Sequence, residues 1–376
     1  MHKLRIFLMF GTRPEAVKMV PVLRALRTVP EFEVRLIATG QHREMLAQAL
    51  ADFNEKPDVN LDLMSVGQTL AGLSARLFKA VDELLAVERP AAVLVQGDTT
   101  TVQVASLCAF YRHIPVGHVE AGLRSHDLLA PFPEELNRRI TGLLASWHFA
   151  PTELSRRNLL DENIPDADIL VTGNTVIDAL LWMRDLVRKE PPALPVQIEE
   201  ALRQNRRLIL VTGHRRESFG EGFRDICRAL LEIARRFPED RLVYPVHLNP
   251  NVRGVVNEFL AGIPGIILCE PLAYKPFIRL MDSSCLLITD SGGIQEEGPS
   301  LGKPVLVMRQ VTERPEGVDA GVNFLVGTDP GVIVETASRF LVDGQAGKIA
   351  ASVKNPYGDG QAGERIAAFL RKRLGA

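Results

Sequence analysis

The stretch LRIFLMFGTRPE, residues 4–15, decides the fold class of this chain. Residues 4–10 are apolar except for Arg5, which is typical of a strand buried inside a parallel sheet. Gly11 to Glu15 follow directly at the end of this strand, and Lys18 comes one helical turn further on. We therefore expect a strand, a short turn with reactive side chains, and then a helix.

The same alternation continues along the whole chain. Short apolar runs rich in β-branched residues are separated by longer helical patterns, and residues 71–87 form one such pattern with a single apolar stripe. Strands alternating with helices predict parallel sheets covered by helices on both faces, which is an α/β fold. The predicted strands are 4–10, 33–38, 92–96, 114–119, 169–172, 208–212, 241–245, 265–269, 285–289 and 304–307.

The length of 376 residues predicts two domains, since single domains usually hold about 150 residues. Three prolines between positions 189 and 195, followed by a polar stretch, are typical of an interdomain linker. We predict an N-terminal domain over residues 1–188, a linker over 189–206 and a C-terminal domain over 207–360. The last amphipathic stretch, within 361–376, could pack on either domain.

Composition excludes several classes of protein. Hydrophobic residues make up 46% of the chain and charged residues 24%, the balance of a globular protein rather than a disordered one. The net charge is only −2, so no overall positive field attracts nucleic acid or an anionic membrane, and no apolar run is long enough for a membrane anchor. The four cysteines are far apart in apolar runs, so we expect buried thiols, no metal site and a cytoplasmic location.

Three carboxylates follow predicted strands of the first half or open the next helix. Asp98, Glu120 and Glu134 are predicted to lie near the carboxyl edge of the sheet, where parallel α/β proteins bind ligands. Carboxylates crowded in one cavity can act as general acid and base. For each alone a structural role is an alternative: Asp98 could cap the helix that follows it, and Glu134 could pair with Arg138 one turn further on.

The second half contains a candidate phosphate site at residues 291–297, SGGIQEE. Gly292 and Gly293 let the backbone approach an anion, and the free amides at the start of a helix attract it. The carboxylate of Glu297 could accept hydrogen bonds from the hydroxyls of a ribose. An ordinary helix capped by Ser291 is an equal alternative, and neither a P-loop nor a GxGxxG motif is present. A diphosphate could be bound by Arg13 and Lys18 of the first half together with His214 and the two arginines that follow it in the second half.

The remaining histidines lack the spacing of metal ligands. His118 lies inside an apolar strand, where we expect a satisfied core residue. His247 follows another predicted strand and could serve either a structural or a ligand role.

Taken in order, these segments resemble the non-hydrolysing UDP-N-acetylglucosamine 2-epimerases over nearly the whole chain. The motifs that carry the resemblance are GTRPE (11–15), GDTTT (97–101), HVEAGLR (118–124), PEELNR (133–138), GNTVID (173–178), GHRRE (213–217), SGGIQEE (291–297) and TERPE (312–316).

The resemblance implies a GT-B architecture, in which two Rossmann-like doubly wound domains face a central cleft and the final helix returns to the first domain. It also implies a homodimer, no cofactor and no metal. By motif position, it assigns nucleotide contacts to Arg13, Lys18, His214, Phe277, Ser291, Gly292, Gly293, Glu297 and Arg314, and sugar contacts to Asp98, Glu120, Glu134, Arg138 and His214. Some members bind a second UDP-N-acetylglucosamine as activator through a segment like Gln41 to Arg43, but Glu44 and Gly67 depart from the pattern of those members.

The reaction implied is reversible inversion at C2 of UDP-N-acetylglucosamine, which supplies N-acetylmannosamine for bacterial surface polysaccharide. Elimination of UDP would give a 2-acetamidoglucal. UDP would then add back to C1 while a proton arrives at the opposite face of C2, which gives the manno epimer. The alternatives are a hydrolysing epimerase, a GT-B glycosyltransferase and a UDP-sugar sensor without catalysis. An NAD-dependent epimerase is disfavoured by the absence of the glycine fingerprint.

Overall fold

The computed structural model describes residues 3–40, 43–63, 67–342 and 355–376. The chain forms two compact units, one made of Met1–Ala179 with Tyr357–Ala376 and the other of Leu180–Pro356. The first boundary therefore lies inside a continuous helix rather than at the proline-rich segment. The segment predicted as a linker contains the helix Val196–Arg203.

The first unit is built on a seven-stranded parallel sheet with the order β3-β2-β1-β4-β5-β6-β7. Its strands are β1 Leu4–Phe10, β2 Phe32–Ala38, β3 Val59–Asn60, β4 Ala92–Gln96, β5 Val116–Val119, β6 Trp147–Ala150 and β7 Ile169–Val171. Its helices are α1 Arg13–Arg27, α2 Arg43–Ala51, α3 Leu70–Glu88, α4 Thr100–Tyr111, α5 Glu134–Leu144 and α6 Glu153–Asp161, with a short 3-10 turn at Asp166–Asp168.

The second unit is built on a six-stranded parallel sheet with the order β10-β9-β8-β11-β12-β13. The helix α7, Thr175–Lys189, leads from the first unit into it, and α8 is Val196–Arg203. The strands are β8 Leu208–Thr212, β9 Arg241–Pro245, β10 Ile266–Cys269, β11 Ser284–Thr289, β12 Val305–Val307 and β13 Asn323–Leu325. The other helices are α9 Glu221–Arg236, α10 Pro250–Leu260, α11 Tyr274–Ser283, α12 Gly292–Ser300, α13 Pro315–Asp319 and α14 Pro330–Val342, with a 3-10 turn at Arg216–Ser218.

The chain ends in α15, Ala362–Arg373, which belongs to the first unit and packs against α1. Gly363 permits this contact, because a β-carbon there would lie 2.8 Å from the carbonyl oxygen of Pro21. Asp178 accepts a hydrogen bond of 2.9 Å from the Gly363 amide at the start of α15. The final helix is thus fixed to the first unit by both packing and a helix-terminal hydrogen bond.

The central strands are completely buried. Residues 6–10 of β1 have no exposed surface, as the apolar pattern of that strand predicts for a sheet covered on both faces. All ten predicted strands are present, and four of them have identical bounds in the structure, namely 4–10, 92–96, 208–212 and 241–245. Three further strands, β3, β6 and β13, were not predicted from the sequence, and they hold only two, four and three residues.

The cysteines only partly match expectation. Cys108 and Cys227 are buried, whereas Cys269 and Cys285 are partly exposed, and all four carry free thiols. Across the described ranges of the chain, helices are too short or too polar to cross a lipid bilayer.

Candidate active site

The strand orders mark one position in each sheet where ligands are expected. The strand order reverses direction between β1 and β4 in the first sheet, and between β8 and β11 in the second sheet. In open parallel sheets the crevice beyond the carboxyl ends of two such strands is the usual ligand site. The GTRPE and GDTTT segments follow β1 and β4, and the GHRRE and SGGIQEE segments follow β8 and β11.

Glu15 joins the two loops of the first unit. It is almost fully buried, its Oε2 accepts hydrogen bonds of 2.7 Å from the amides of Gly11 and Thr12, and its Oε1 accepts one of 2.5 Å from the Thr99 hydroxyl. Burial raises the pKa of Glu15, and these hydrogen bonds oppose that rise. One carboxylate therefore fixes the loop after β1 against the loop after β4.

Glu120 lies just after β5 with its carboxylate among hydrogen-bond donors. Lys18 Nζ and Asn174 Nδ2 donate to Oε1 at 2.6 Å and 2.9 Å, and Gln96 Nε2 donates to Oε2. The backbone of Glu120 has a φ of +65°, a conformation that non-glycine residues rarely adopt. Such strain clusters at functional sites, because the surrounding structure must enforce it.

Asp98, directly after β4, is held by a cation. Arg138 on α5 approaches its Oδ2 through Nε at 2.9 Å and Nη2 at 2.7 Å, and Asn137 donates to its carbonyl oxygen. The pKa of Asp98 is raised, chiefly by burial and also by the charge of Glu120, although Arg138 and Lys18 act in the opposite direction. Asp98 and Glu120 thus form one electrostatic group with the two cations, an arrangement of the kind that shifts pKa values.

Glu134 is placed differently. It begins α5, one turn before Arg138, and is partly exposed, with no side-chain hydrogen bond to any described residue. The expected pair between Glu134 and Arg138 is wrong, because Arg138 instead contacts Asp98 and, at 3.3 Å, the fully buried Glu135. The capping role considered for Asp98 is also wrong, since Thr99 is the N-cap of α4.

Asp290 joins the two loops of the second unit, much as Glu15 does in the first. Its Oδ2 accepts hydrogen bonds of 2.7 Å from the amides of His214 and Arg215, and its Oδ1 lies 3.4 Å from His214 Nδ1. The His214 ring stacks on His247, with centroids 5.1 Å apart. Burial lowers the pKa of His214 against the opposing charge of Asp290, which favours a neutral imidazole at pH 7.

The start of α12 has the free donors that an anion site needs. Ser291 is the N-cap residue, but its hydroxyl makes no capping hydrogen bond. The amides of Gly292 and Gly293, in the first turn, have no hydrogen-bond acceptor among the described residues. Ser291 is thus the N-cap residue, as the capped-helix alternative predicts, but it does not make the capping hydrogen bond. The free amides at the helix start favour a bound anion.

The other residues predicted to contact the nucleotide lie on three helices and one loop. Arg13 is exposed in the first turn of α1, and Phe277 is half-buried in α11. Arg314 precedes α13 and forms an ion pair with the buried Glu296, while Glu297 is buried in α12.

Several polar residues of these two clusters were not predicted from the sequence: Glu15, Gln96, Glu135, Asn174 and Asp290. Each lies inside or beside one of the motifs of the first subsection, but the sequence does not show which side chain turns inward. His118 is buried as expected, but only its Nε2 has a partner, the Gly97 carbonyl at 2.7 Å, whereas Nδ1 has none among described residues.

The activator segment cannot be compared with this geometry, because Gln41, His42 and the side chains of Arg43 and Glu44 lie outside the described residues. The same holds for the side chain of Arg216. Within the described ranges, no three histidine, cysteine or acidic side chains converge as metal ligands.

Comparison with known proteins gives one consistent family. The sequence pattern of the UDP-N-acetylglucosamine 2-epimerase family matches residues 24–371. A protein of Yersinia pestis named UDP-N-acetylglucosamine 2-epimerase is 56% identical over 338 residues, which cover 89% of this chain and 90% of that protein.

Solved structures agree with the sequence comparison. A crystal structure of UDP-GlcNAc 2-epimerase from Neisseria meningitidis bound to UDP-GlcNAc has a TM-score of 0.86 and 44% identity, over 98% of this chain and 100% of that one. A structure of a putative UDP-N-acetylglucosamine 2-epimerase from Listeria monocytogenes has a TM-score of 0.92 and 43% identity, over 99% and 97% of the two chains. These matches confirm the predicted fold class, two Rossmann-like domains of the GT-B type.

Proposed function

Because the chain belongs to the UDP-N-acetylglucosamine 2-epimerase family, we propose that it interconverts UDP-N-acetylglucosamine and UDP-N-acetylmannosamine without hydrolysis or a redox cofactor. The observation that carries the proposal is the pairing of Glu120 and Asp98, two carboxylates with two cations, at the ligand edge of a parallel sheet. Inversion at C2 requires a proton to leave one face of the sugar and another to arrive at the opposite face.

The first step is elimination. A carboxylate of the first unit takes the proton from C2, the electrons of that bond form the C1–C2 double bond, and the C1–O bond breaks towards UDP. The products are a 2-acetamidoglucal and UDP, so that atoms and charge balance. A C2 proton without a neighbouring carbonyl is a very weak acid, and loss of UDP in the same step lowers the barrier because the diphosphate takes up the charge.

The second unit supplies the groups that suit this diphosphate. The free amides of Gly292 and Gly293, at the start of α12, are fixed donors where negative charge develops. His214 lies on the neighbouring loop and is joined to α12 through Asp290, which immediately precedes Ser291. Arg13, Lys18, Phe277, Glu297 and Arg314 are proposed as further nucleotide contacts.

The second step reverses the first on the other face. UDP attacks C1 again, and a protonated carboxylate delivers its proton to C2 from the opposite side, which gives the manno epimer. The raised pKa of Asp98 suits a group that holds a proton during part of the cycle. We propose that Asp98, Glu120 and Glu134 share the proton transfers, with Arg138 contacting the sugar.

The experiment is a product analysis with purified protein and UDP-N-acetylglucosamine. The proposal predicts UDP-N-acetylmannosamine at equilibrium with the substrate, identified by proton NMR, and no accumulation of free UDP. A hydrolysing epimerase would instead release UDP and free N-acetylmannosamine, and a sensor would leave the substrate unchanged. Either result would overturn the proposal.

We further propose that the enzyme is a homodimer in the cytoplasm. Phe110 and Tyr111 of α4 and Leu143 of the adjoining α5 are 52%, 65% and 80% exposed, and large apolar side chains of this kind on packed helices are typical of an interface. The four free thiols fit a reducing compartment. Light scattering should give twice the chain mass of 41.5 kDa, and a particle of the single chain mass would contradict the dimer.

A further inference from the structure

Asn174 is fully enclosed at the start of α7 and makes three separate kinds of contact. Its side-chain oxygen accepts a hydrogen bond of 3.1 Å from the Val176 amide, and its side-chain nitrogen donates to Glu120 Oε1 at 2.9 Å. Its backbone amide donates to the carbonyl oxygen of Tyr357 at 2.7 Å. The two ends of the Asn174 amide group therefore serve two different partners.

The contact with Tyr357 connects Glu120 to the segment where the chain returns to the first unit. Gly173 and Gly358 allow this approach, because a β-carbon on Gly173 would lie 3.0 Å from the Gly358 Cα. Both glycines also have positive φ angles, +86° and +144°. Asn174 is thereby fixed from its backbone as well as from its side chain.

Glu120 needs this kind of support. Its backbone is in the left-handed region, so that the direction of its side chain depends on the groups that surround it. Lys18 reaches Glu120 along a flexible stem, whereas the Asn174 amide is held rigidly by the capping hydrogen bond on its own oxygen. A rigid donor determines where the carboxylate lies more closely than a flexible one does.

We propose that Asn174 is a positioning residue of the reaction, which caps α7 through its oxygen and orients Glu120 through its nitrogen. The inference rests on the proposed function, because it assigns Glu120 to the proton transfers. The two roles are chemically separable, since a residue that keeps the capping oxygen but lacks the NH₂ group would retain the first and lose the second.

Asn174→Asp makes this separation with almost no change of volume. The new carboxylate still caps α7, but it faces Glu120 with an oxygen instead of a donor. Among the described residues, Lys18 and Asp98 are charged groups that interact with Glu120, and His118 contributes a weaker charge interaction. An added negative charge there disfavours ionised Glu120, so that the base form of the enzyme should appear at higher pH.

The assay compares kcat, KM and the pH profile of Asn174→Asp with those of the wild-type enzyme. We expect kcat to fall about 10- to 100-fold, the usual result of losing a hydrogen bond to a charged group, with KM changed less than about 3-fold. The acid limb of the kcat profile should move up by about one pH unit or more. UDP binding should stay close to that of the wild type.

Asn174→Ser is a second test that adds no charge. Serine is a good N-cap, but its hydroxyl cannot reach Glu120 as the longer amide does. We expect a similar loss of kcat with little movement of the acid limb. Val176→Ala is the matched control, because it removes buried volume from the same helical turn and leaves the Asn174 amide in place.

The possible outcomes are distinct. If Val176→Ala loses as much kcat as the two Asn174 variants at equal thermal stability, or if Asn174→Asp keeps wild-type kcat and pH profile, then Asn174 has only a structural role. If the wild-type protein itself fails to form UDP-N-acetylmannosamine, the proposed function fails instead.

Discussion

Replacing Glu15 by alanine removes one acceptor group from three donors at once. The amides of Gly11 and Thr12 and the hydroxyl of Thr99 all lose their partner inside the crevice between β1 and β4. Replacing Glu15 by glutamine keeps a partner for all three groups, because the amide oxygen can still accept from both backbone amides while its nitrogen donates to the Thr99 hydroxyl.

The size of the effect follows from the number of donors left unpaired. An unsatisfied buried donor costs about 1–3 kcal/mol, so two amides and a partly buried hydroxyl give about 3–6 kcal/mol for Glu15→Ala. Burial raises the pKa of Glu15, which means that the folded state favours the protonated carboxyl and loses stability as the pH rises above the ordinary value of 4.5. Glu15→Gln removes this cost, so we expect it to be at least as stable as the wild type at pH 7.5.

The assay is urea denaturation of the three proteins at pH 7.5 and at pH 4.5, followed by circular dichroism. With a slope of about 2–3 kcal/mol per molar urea, Glu15→Ala should lower the midpoint by about 1–3 M. The advantage of Glu15→Gln over the wild type should shrink at pH 4.5. If Glu15→Ala and Glu15→Gln denature at the same urea concentration, Glu15 does not fix the two loops and the reasoning is refuted.

Three further predictions test other parts of the site. Glu120→Gln should fold and bind UDP but lower kcat by about 10²- to 10⁴-fold, and near-normal turnover would remove this residue from the proton transfers. Burial lowers the pKa of His118 to about 3, so below pH 6.5 the unfolded chain takes up a proton that the folded chain does not, and stability falls as the pH falls. At pH 5 the buried neutral imidazole of His118 costs about 2 kcal/mol of unfolding free energy. In His118→Gln, the loss of unfolding free energy between pH 7.5 and pH 5 should therefore be smaller by that amount. An unchanged loss would show that His118 is not the group responsible. Gly122 has a φ of +86°, and a β-carbon there would lie 2.2 Å from the Ser155 carbonyl oxygen, so Gly122→Ala should unfold the first unit. Gly262 has a φ of +73° with nothing within 4 Å of an added β-carbon, so Gly262→Ala should cost only about 1 kcal/mol. Equal thermal midpoints of the two variants would contradict this.

The sequence predicts the fold well where strands are largely apolar. The bounds 4–10, 92–96, 208–212 and 241–245 are identical in prediction and structure, because a largely apolar run gives a strand a recognisable beginning and end. The strand β6 was missed because Trp147 and His148 break that pattern, although both are buried. A strand of this kind is recognised only from its neighbours in the sheet.

The candidate site was predictable in position but not in contacts. The rule that ligands bind beyond the carboxyl ends of parallel strands drew attention to Asp98, Glu120 and His214, which follow β4, β5 and β8 in the structure. It could not show that Arg138 would contact Asp98 rather than Glu134, because that choice depends on how α5 lies against the loop after β4. Asn174 was hidden for the same reason, since its partner Glu120 is 54 positions away in sequence.

The most direct test of the central claim is proton NMR of the reaction in D₂O with purified enzyme and no added nucleotide cofactor. If a carboxylate removes the C2 proton and another group returns one from solvent, every molecule of UDP-N-acetylmannosamine formed must carry deuterium at C2. A product that retains its original hydrogen at C2 would contradict proton abstraction at this carbon, and the roles proposed for Asp98 and Glu120 would fall with it.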